Sequence, residues 1–507
     1  MVALLACVSS ATLHGVDGRP VAVEVHVSNG IPGFTVVGLP DAAVRESRDR
    51  VRAALLSSGC SWPLQRITVN LAPSGERKAG AGLDLAIAVG LLVAVGVVPP
   101  QTVTGTAFLG ELGLDGSLRP VPGVVPLVAC LHAAQVVVPA ASARHAQLVD
   151  GPVVRAGTCL AEVMTALEGR GPWAEPAPAA AAAPAPAPDL ADVRGQAVGR
   201  RALELAAAGG HHLLLVGPPG AGKTMLAQRL PGLLPDLTPG EALEVARVHS
   251  AAGAALPGEA LPTRPPFRAP HHSATDVAIV GGGTAWLRPG EISLAHGGVL
   301  FLDELGEFPA RVLDMLRQPL EEGVVRVSRA RASVELPARF VLVAAMNPCP
   351  CGEGVFPGAC RCSEAAIQRY TRRLSGPLLD RFDLAVALSR PEVPDLLGGA
   401  GGEATATVAA RVRAARRRSR GRGWPTNATV PADALASVAP LEPAAAALLE
   451  RHLRDGSLSA RGLDRVRRVA RTVADLDGAP PVVASRHVAE ALQLRRGRQV
   501  LLPAGRP

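Results

Sequence analysis

A glycine-rich segment with one lysine carries the clearest chemistry in the sequence. GPPGAGKT, residues 217–224, fits the P-loop pattern in full. Its glycines let backbone N–H groups surround phosphate oxygens, while Lys223 reaches the β- and γ-phosphates and Thr224 ligates Mg²⁺. An apolar run precedes the segment and a helical pattern follows it, which is the context the motif requires. The pattern predicts that ATP is bound by Gly217, Pro218, Pro219, Gly220, Ala221, Gly222, Lys223 and Thr224.

Two carboxylates follow a second apolar run. VLFLDE, residues 299–304, has the form of a Walker B strand. In that role Asp303 holds Mg²⁺, together with Thr224, and Glu304 polarises the attacking water. The alternative is a strand that merely ends in exposed acids, which the P-loop upstream disfavours.

Two further segments offer groups for the γ-phosphate. RFVLVAAMN ends in Asn347, whose amide is placed to orient the attacking water, the sensor 1 role. GPLLDRFDL puts Arg381 between two acids. Arg381 is either an arginine finger offered to a neighbouring subunit or half of a local Arg–Asp surface pair. The residues alone leave both interpretations open.

Four cysteines crowd into fourteen residues with the spacing C-x-C-x8-C-x-C. Four thiolates suit tetrahedral Zn²⁺, although the one-residue spacers are tighter than usual. The alternative is four reduced thiols, with a redox pair among them. The predicted structural zinc ligands are Cys349, Cys351, Cys360 and Cys362.

Histidines and arginines form two other patterns. His271 and His272 are adjacent, and on a strand they would point to opposite faces, which argues against a shared metal. They are interpreted as a loop anchor or as part of an inserted pore segment. Seven of the twelve residues 411–422 are Arg. Such a run either neutralises DNA phosphates or is a solvated helix face.

The elements that must position these residues are read from hydrophobic periodicity. Around the P-loop, apolar runs alternate with helical segments, which predicts an α/β domain with a mostly parallel sheet. Upstream, strands and helices mix, including a helix over Asp41–Ser58 capped by Asp41, a buried helix over Leu83–Val95 and a hairpin turn at Asp115-Gly116. Downstream the pattern is helical at 404–420, 443–454, 459–476 and 485–495.

A Pro- and Ala-rich stretch marks the main boundary. GPWAEPAPAAAAAPAPAP has the composition of an extended, semi-rigid spacer with nothing to bury. The sequence therefore divides into an α+β domain at 1–170, a linker at 171–188, a nucleotide-binding domain at 189–395 and a helical lid at 396–507. The lid is basic, because residues 401–507 hold 19 Arg against 9 acidic residues, a net charge of +10.

Composition excludes several classes of protein. A chain of 507 residues with 48% hydrophobic residues can build roughly three folded domains. With 8 Phe, 4 Trp and 1 Tyr, a module that stacks bases on several aromatics is not expected. The longest uncharged apolar run, Leu85–Val98, is too short to span a bilayer, and no positive charge precedes Arg19. We expect a cytoplasmic, reduced protein.

Taken in order, these motifs resemble one family. The succession GPPGAGKT, FRAPHHS, RPGEISLAHGGVLFLDELGEF, MNPCPCG, SGPLLDRFDL and SARGLDRVRRVARTVADL is similar to the ComM/YifB family of magnesium-chelatase-like AAA+ ATPases. The resemblance implies a hexameric ring, with Arg381 as a finger in trans and Arg461 as the sensor 2 arginine on the lid. It also implies a DNA helicase for branch migration, acting on single-stranded or branched DNA in recombination or DNA uptake. The rival functions are protein remodelling of the chelatase or chaperone type.

The N-terminal domain resembles the Lon protease domain, with a departure at the catalytic pair. The position of the Lon nucleophile falls at about Gly82 and that of its lysine at about Val125. A Ser–Lys dyad needs both groups, so no peptidase activity is expected. Only two lysines occur in the chain, Lys223 and Lys78. Lys78 has no assigned chemistry, and the simplest interpretation is a surface lysine.

Overall fold

The computed structural model describes residues 5–495 apart from 76, 79, 178–186, 255, 257–259, 284–286, 330–331, 354–359, 398–400 and 479–481. Half of the predicted linker (178–186), residues 398–400 and the last twelve residues of the predicted lid lie outside the described residues.

The first unit is built on a seven-stranded mixed sheet. Its strand order is β3-β4-β2-β1-β5-β8-β9, with β2 antiparallel to both β1 and β4 and the other neighbouring pairs parallel. Its elements are β1 (Leu5–His14), β2 (Asp17–Ser28), β3 (Gly33–Val37), α1 (Ala42–Arg45), α2 (Ser47–Ser57), β4 (Arg66–Ala72), α3 (Asp84–Ala94), α4 (Pro100–Val103), β5 (Thr106–Phe108), β6 (Glu111–Leu112), β7 (Leu118–Arg119), α5 (Val124–Ala129), β8 (Gln135–Pro139), α6 (Ala140–Ala146), β9 (Val153–Gly157) and α7 (Leu160–Leu167).

Local sequence explains these elements. The alternating valines of β2 face the core, while every residue of α3 is buried beneath the sheet. Asp41 caps α1 by accepting a hydrogen bond from Val44 N at 2.8 Å, and Gly116, at φ +83°, turns the chain between β6 and β7. Within the described chain, no helix combines the length and the apolar character that crossing a bilayer requires.

The second unit contains the P-loop. Its elements are α8 (Ala197–Gly209), β10 (Leu213–Val216), α9 (Lys223–Ala227), α10 (Leu230–Leu233), α11 (Pro239–Ala252), β11 (Phe267–Arg268), α12 (Asp276–Val280), β12 (Gly281–Gly282), β13 (Arg288–Pro289), α13 (Glu291–Leu294), β14 (Val299–Leu302), α14 (Ala310–Met315), α15 (Arg317–Glu322), β15 (Val324–Arg329), β16 (Ala332–Pro337), β17 (Val341–Met346), α16 (Glu364–Arg372), α17 (Gly376–Leu379), β18 (Leu384–Ala387) and α18 (Val393–Leu397).

A five-stranded parallel sheet forms the centre of this unit. The order is β11-β14-β17-β10-β18, and every residue of β10, β14 and β17 is buried. Helices cover both faces, so these strands are continuous apolar runs rather than alternating ones. The P-loop, the acidic pair and Asn347 follow the carboxyl ends of β10, β14 and β17. Because these strands are neighbours, the three motifs meet at one edge of the sheet.

The last unit is helical. Its helices are α19 (Thr405–Gly421), α20 (Leu435–Val438), α21 (Pro443–Arg454), α22 (Ala460–Leu476) and α23 (Ser485–Gln493). Apolar side chains of α19 and α22, such as Val412 and Val469, share one core with Leu203 of α8. The predicted α/β class, with a parallel sheet around the P-loop and a helical C-terminal region, is confirmed.

The first unit packs directly on the second. Ser250, on α11, accepts a hydrogen bond from Gly123 N through its carbonyl oxygen at 2.8 Å and one from Val125 N through its hydroxyl at 3.3 Å. The start of the predicted linker is hydrogen-bonded to the first unit. Ala174 N and Ala177 N donate to Ala156 O and Ala140 O, both at 3.1 Å.

Candidate nucleotide-binding site

The P-loop backbone is shaped to face an anion. Gly220 and Gly222 both have φ +79°, a left-handed conformation that favours glycine. The space where a Cβ would stand at either glycine has no neighbouring atom within 4 Å. Gly217 is the opposite case, since a Cβ there would lie 2.6 Å from the carbonyl oxygen of Leu388. The loop is therefore packed at its base and open at its tip, as a phosphate cradle must be.

Lys223 connects the P-loop to the end of β17. Its Nζ donates to Gly217 O at 2.7 Å, to Pro218 O at 3.0 Å and to Asn347 Oδ1 at 3.0 Å. Burial lowers the pKa of Lys223, while the charges of Asp303 and Glu304 oppose that shift. Three predicted site segments thus lie around one ammonium group.

Thr224 and Asp303 form an oxygen pair next to Lys223. Thr224 Oγ1 donates to Asp303 Oδ2 at 2.7 Å, and Asp303 Oδ1 accepts from Glu304 N at 3.0 Å. A hydroxyl and a carboxylate are the hard oxygen ligands that Mg²⁺ takes alongside nucleotide phosphates. The residues present therefore fit Mg²⁺-ATP.

Glu304 has a partner that the sequence did not indicate. His272 Nδ1 lies 3.2 Å from Glu304 Oε2. The two adjacent histidines follow β11 in a turn, not on a strand, and their ring centroids are 4.1 Å apart. The expectation that they point to opposite faces was wrong, because alternation holds only for extended backbone.

Two other contacts to the P-loop were also missed. Gln196, at φ +53°, donates from Nε2 to Ala221 O at 3.0 Å and to Ser389 O at 2.6 Å. Arg390 donates to Pro219 O at 3.4 Å. Both residues lie outside the recognised motifs, and only the folded chain brings them to the loop.

Tyr370 contacts the backbone of Asn347, the residue that follows β17. The Tyr370 hydroxyl donates to Asn347 O at 3.3 Å. Burial raises the pKa of Tyr370 to about 12, so its hydroxyl remains a donor at neutral pH. The backbone of Asn347 is held from one side while its amide faces Lys223.

Arg381 lies in a cluster of arginines. Its ion-pair partner is Glu321 of α15, and it also donates to Pro377 O at 3.4 Å. Burial lowers its pKa, and the charges of Arg465, Arg461 and Arg317 lower it further. Of the two acids that flank Arg381, Asp383 pairs with Arg465 at 2.6 Å, and the acidic partner of Arg381 is Glu321.

Arg461 stands at the start of α22 and is exposed. Its charge contributes to the lowered pKa of Arg381, which places the two predicted γ-phosphate arginines near each other. The charged neighbours that act on Lys223 are instead Asp303 and Glu304. Arg381 and Lys223 are thus influenced by different sets of charged residues.

The four clustered cysteines converge. The Sγ of Cys349 lies 3.3 Å from that of Cys351 and 3.6 Å from that of Cys360, and Cys351 and Cys360 are 3.8 Å apart. All four Sγ atoms, with Cys362, lie within 4.8 Å of one another. Sulfurs bound to one tetrahedral Zn²⁺ at about 2.3 Å would be about 3.8 Å apart. Hydrogen bonding from Glu353 N, then from Cys349 and Cys362, lowers the pKa of Cys351 to about 6.

Several arginines of the run at 411–422 form hydrogen bonds or ion pairs within the protein. Arg411 pairs with Glu204 and Glu403, each at 2.6 Å. Arg416 donates to Ala207 O at 2.8 Å, and burial lowers its pKa to about 10. Further internal contacts are made by Arg418, Arg422, Arg465, Arg467, Arg468 and Arg471.

An exposed subset remains on one face of α19. Arg413, Arg417 and Arg420 are exposed, and their spacing places them along the same side of the helix. This three-residue set is called the arginine face below. It is smaller than the run of seven that the sequence suggested.

Lys78 is not a surface lysine. Only 1% of it is exposed, and its Nζ donates to the carbonyl oxygen of Pro73. The interpretation failed because Pro40 and Lys78 pair as an isolated β-bridge, which draws the segment into the sheet edge. At the two Lon-like positions, Val125 is fully buried and Gly82 lies against Val121.

Known proteins resemble this chain over almost its whole length. The profile of magnesium chelatase, subunit ChlI, matches residues 189–396, that of subunit ChlI of Mg-chelatase matches 23–142, and that of the ChlI C-terminal part matches 402–495. YifB of Escherichia coli, an uncharacterized protein, is 44% identical over 98% of both chains. The competence protein ComM of Haemophilus influenzae is 44% identical over 97% of both chains. An uncharacterized Mycobacterium tuberculosis protein is 46% identical over 92% of this chain and 94% of its own.

Proposed function

This chain belongs to the ComM/YifB family of magnesium-chelatase-like AAA+ proteins, and from that premise we propose that it is an ATP-hydrolysing motor. The observation that carries the proposal is the meeting of three motifs at one edge of the parallel sheet. Lys223 donates a hydrogen bond to Asn347, and Thr224 donates one to Asp303. Three separate segments of the sequence thus supply one phosphate site.

The residues divide the reaction among them. The P-loop amides and Lys223 bind the phosphates, and Asn347 orients a water against the γ-phosphate. Glu304 accepts the proton of that water as it attacks. Mg²⁺, held at the oxygens of Thr224 and Asp303, would neutralise charge on the phosphates.

We propose that Arg381 and Arg461 act on the nucleotide of a neighbouring subunit. The charge of Arg461 acts on Arg381, whereas the charges that act on Lys223 are those of Asp303 and Glu304, and this supports a site shared between two subunits. Successive subunits would then close a ring, and six is the number the family resemblance implies. An arginine supplied in this way raises turnover by about 10³-fold or more.

For the substrate we propose single-stranded or branched DNA, with helicase or branch-migration activity in recombination or DNA uptake. The arginine face and the net charge of +10 over residues 401–507 support this. The naming of ComM as a competence protein is in line with it. We place the motor in the cytoplasm and assign it no peptidase activity. A chelatase-type or chaperone-like remodelling ATPase is the rival, favoured by the magnesium chelatase profiles.

One set of ATPase assays tests these proposals. Turnover is measured with and without forked DNA for the wild type, Glu304→Gln and Arg381→Ala. Glu304→Gln is expected to bind ATP yet lose turnover about 100-fold, the low end for a general base. Arg381→Ala is expected to lose turnover while each chain still binds ATP, and unchanged turnover would contradict the shared site.

The role of the arginine face in DNA binding is tested in the same set of experiments. Charge reversal of Arg413, Arg417 and Arg420 is expected to weaken DNA binding and to reduce the salt slope of its affinity by about 2. Arg451→Glu, at an exposed position on α21, is the control. ATPase activity that forked DNA does not stimulate, with no salt-dependent DNA binding, would favour the protein-remodelling rival.

We also propose structural zinc at the four cysteines. The support is the convergence of all four sulfurs at spacings close to the tetrahedral value. Zinc there would fix the loop that leaves β17 immediately after Asn347.

A further inference from the structure

We propose that Arg465 is a positioning residue that holds Arg381 in place to act on the nucleotide of the neighbouring subunit. The inference rests on the proposed role of Arg381 as an arginine finger in trans. Helix α22 would then fix the backbone from which the finger extends, in addition to carrying Arg461. Arg465 itself would touch no nucleotide.

Arg465 contacts the backbone of Arg381 directly. Its Nη1 donates to Arg381 O at 2.9 Å and to Asp383 Oδ1 at 2.6 Å. The side chains of Arg465 and Asp383 are 18% and 5% exposed, so water competes little for this nitrogen. Hydrogen bonds that involve an ionised donor are stronger than those between neutral groups. The ion pair with Asp383 therefore fixes the guanidinium that in turn fixes the carbonyl group of Arg381.

The two carbonyl groups that follow Arg381 are also held by the helical unit. Arg495, just beyond α23, donates from Nη1 to Phe382 O at 3.3 Å and to Asp383 O at 2.8 Å. Three successive carbonyl oxygens, those of residues 381 to 383, thus accept hydrogen bonds from arginines of the helical unit. The conformation of this segment is consequently set by that unit as well as by the sheet into which it leads.

Asp383 is linked to α22 at a second point. His211 Nδ1 lies 3.3 Å from Asp383 Oδ2, and His211 Nε2 lies 2.7 Å from Thr472 Oγ1. Thr472 lies two turns beyond Arg465 on α22, about 10 Å along the helix axis. Because the segment is attached to the helix at two points, a displacement of α22 would carry the backbone of Arg381 with it.

The side chain of Arg381 lies among like charges. It is 12% exposed, and its ion-pair partner Glu321 is 53% exposed. Burial lowers the pKa of Arg381, and the charges of Arg465, Arg461 and Arg317 lower it further. A phosphate arriving from a neighbouring subunit would relieve this repulsion, so the guanidinium can exchange Glu321 for that anion. The backbone contact with Arg465 then decides how far the guanidinium reaches.

The accuracy of this contact matters for the rate of hydrolysis. Misplacing a group that acts on the reacting atoms by about 1 Å costs about 100-fold in rate. Loss of Arg465 should therefore lower kcat while the P-loop of the same chain continues to bind ATP. The defect should appear at the nucleotide site of the next subunit. A residue that only stabilises the fold would not affect its neighbour in this way.

The test uses complementation between full-length chains. Arg465→Met removes the donor and keeps a long side chain. In case the unpaired charge of Asp383 prevents folding, the second variant is Arg465→Met with Asp383→Asn, in which neither charge remains. Arg467→Met is the matched control, because Arg467 of the same helix donates to Leu435 O and Ala439 O within the helical unit. Turnover, ATP affinity and melting temperature are measured for each chain.

Each variant is then produced together with Glu304→Gln, and mixed assemblies are purified through two different tags. Arg465→Met alone is expected to lose at least about tenfold in kcat, with ATP affinity within about twofold of the wild type, while Arg467→Met stays near the wild type. Mixed with Glu304→Gln, Arg465→Met is expected to regain about a quarter of wild-type turnover. Random mixing pairs an intact Glu304 with an intact, correctly held Arg381 at about one interface in four of a closed ring.

Arg381→Ala mixed with Glu304→Gln is the reference for a shared site. If the reference mixture regains turnover and the Arg465→Met mixture does not, Arg465 acts within its own chain; the inference is then overturned and the proposed shared site stands. Wild-type turnover of Arg465→Met or of the double variant without mixing would overturn the inference as well. If the reference mixture stays inactive, the shared site is wrong and the inference fails with it.

Discussion

Asp383 joins the helical unit to the nucleotide-binding unit through a single carboxylate. Arg465 of α22 bonds to its Oδ1 at 2.6 Å, and His211 bonds to its Oδ2 at 3.3 Å. Burial would raise the pKa of Asp383, but the hydrogen bond from His211 and the charge of Arg465 outweigh it and lower that pKa well below the usual range. The folded protein therefore keeps this group ionised where the unfolded chain would protonate it.

Replacing Asp383 by Asn should cost about 3 kcal/mol of stability at pH 7, because Arg465 loses its buried partner. An acid whose pKa is lowered by folding stabilises above its unfolded value, and that contribution is lost as pH falls below about 4. The difference between the two proteins should therefore shrink between pH 5 and pH 3. Urea unfolding midpoints over this range check it, with Asp150→Asn, an exposed site, as the control.

Among individual residues, those in contiguous motifs could be predicted from the sequence, and their partners elsewhere in the chain could not. Lys223, Thr224 and Asp303 were found because each motif carries its own strand and loop pattern. Lys223 reaches Asn347 because β10 and β17, which carry these two residues at their carboxyl ends, are neighbouring parallel strands. Lys78 was misjudged because a lone lysine gives no sign of the bridge that buries it.

Among the elements, the cysteine loop and the P-loop are packed together. A Cβ on Gly352 would lie 2.6 Å from Pro219 Cδ, which shows how closely the two loops approach. Arg390 bonds to Glu353 Oε1 at 2.7 Å and to Pro219 O at 3.4 Å, joining them a second time. The conformation of the cysteine loop is thereby coupled to that of the phosphate cradle.

Removal of zinc should therefore weaken ATP binding without touching a phosphate ligand. We expect a chelator to release about one zinc per chain and to raise the Kd of a fluorescent ATP analogue about tenfold, with recovery on adding zinc. Cys351→Ser should reproduce the effect, while Cys159→Ser, outside the cluster, should not. Purified protein with less than half an equivalent of zinc per chain would contradict the metal assignment.

Element boundaries were predicted to within a few residues, but the faces of the elements were not. The helix over 404–420 begins and ends one residue from its observed bounds. Which of its arginines point inward depends on α8 and α22, and no periodicity in the run itself reveals that. The contact of His272 with Glu304 was not predicted for the same reason, since it joins the segments that follow two neighbouring strands, β11 and β14.

For the molecule as a whole, Ser250 links the first two units at a helix end. The N-cap of α5 is Gly123, which offers no side chain, and Ser250 Oγ accepts from Val125 N in its place. A helix of the first unit is thus capped by a residue of the second. The cap makes the docked arrangement part of the stability of α5 itself.

Ser250→Ala should lower stability by about 1 kcal/mol, the usual value of a lost cap. The loss should appear as an earlier unfolding transition of the first unit in calorimetry, with the transition of the nucleotide-binding unit little changed. Ser437→Ala, an exposed serine on α20, is the comparison. A uniform shift of both transitions would mean that Ser250 does not act through the contact between units.

The single tyrosine of the chain also has a practical consequence. Tyr370 is the only tyrosine among the 507 residues, and its hydroxyl donates a hydrogen bond to the backbone carbonyl of Asn347. Fluorotyrosine incorporation would therefore give one fluorine NMR resonance from the whole protein. That resonance would report on the surroundings of Asn347 at the end of β17. Each stage of the nucleotide cycle would be readable as a change in one spectral line.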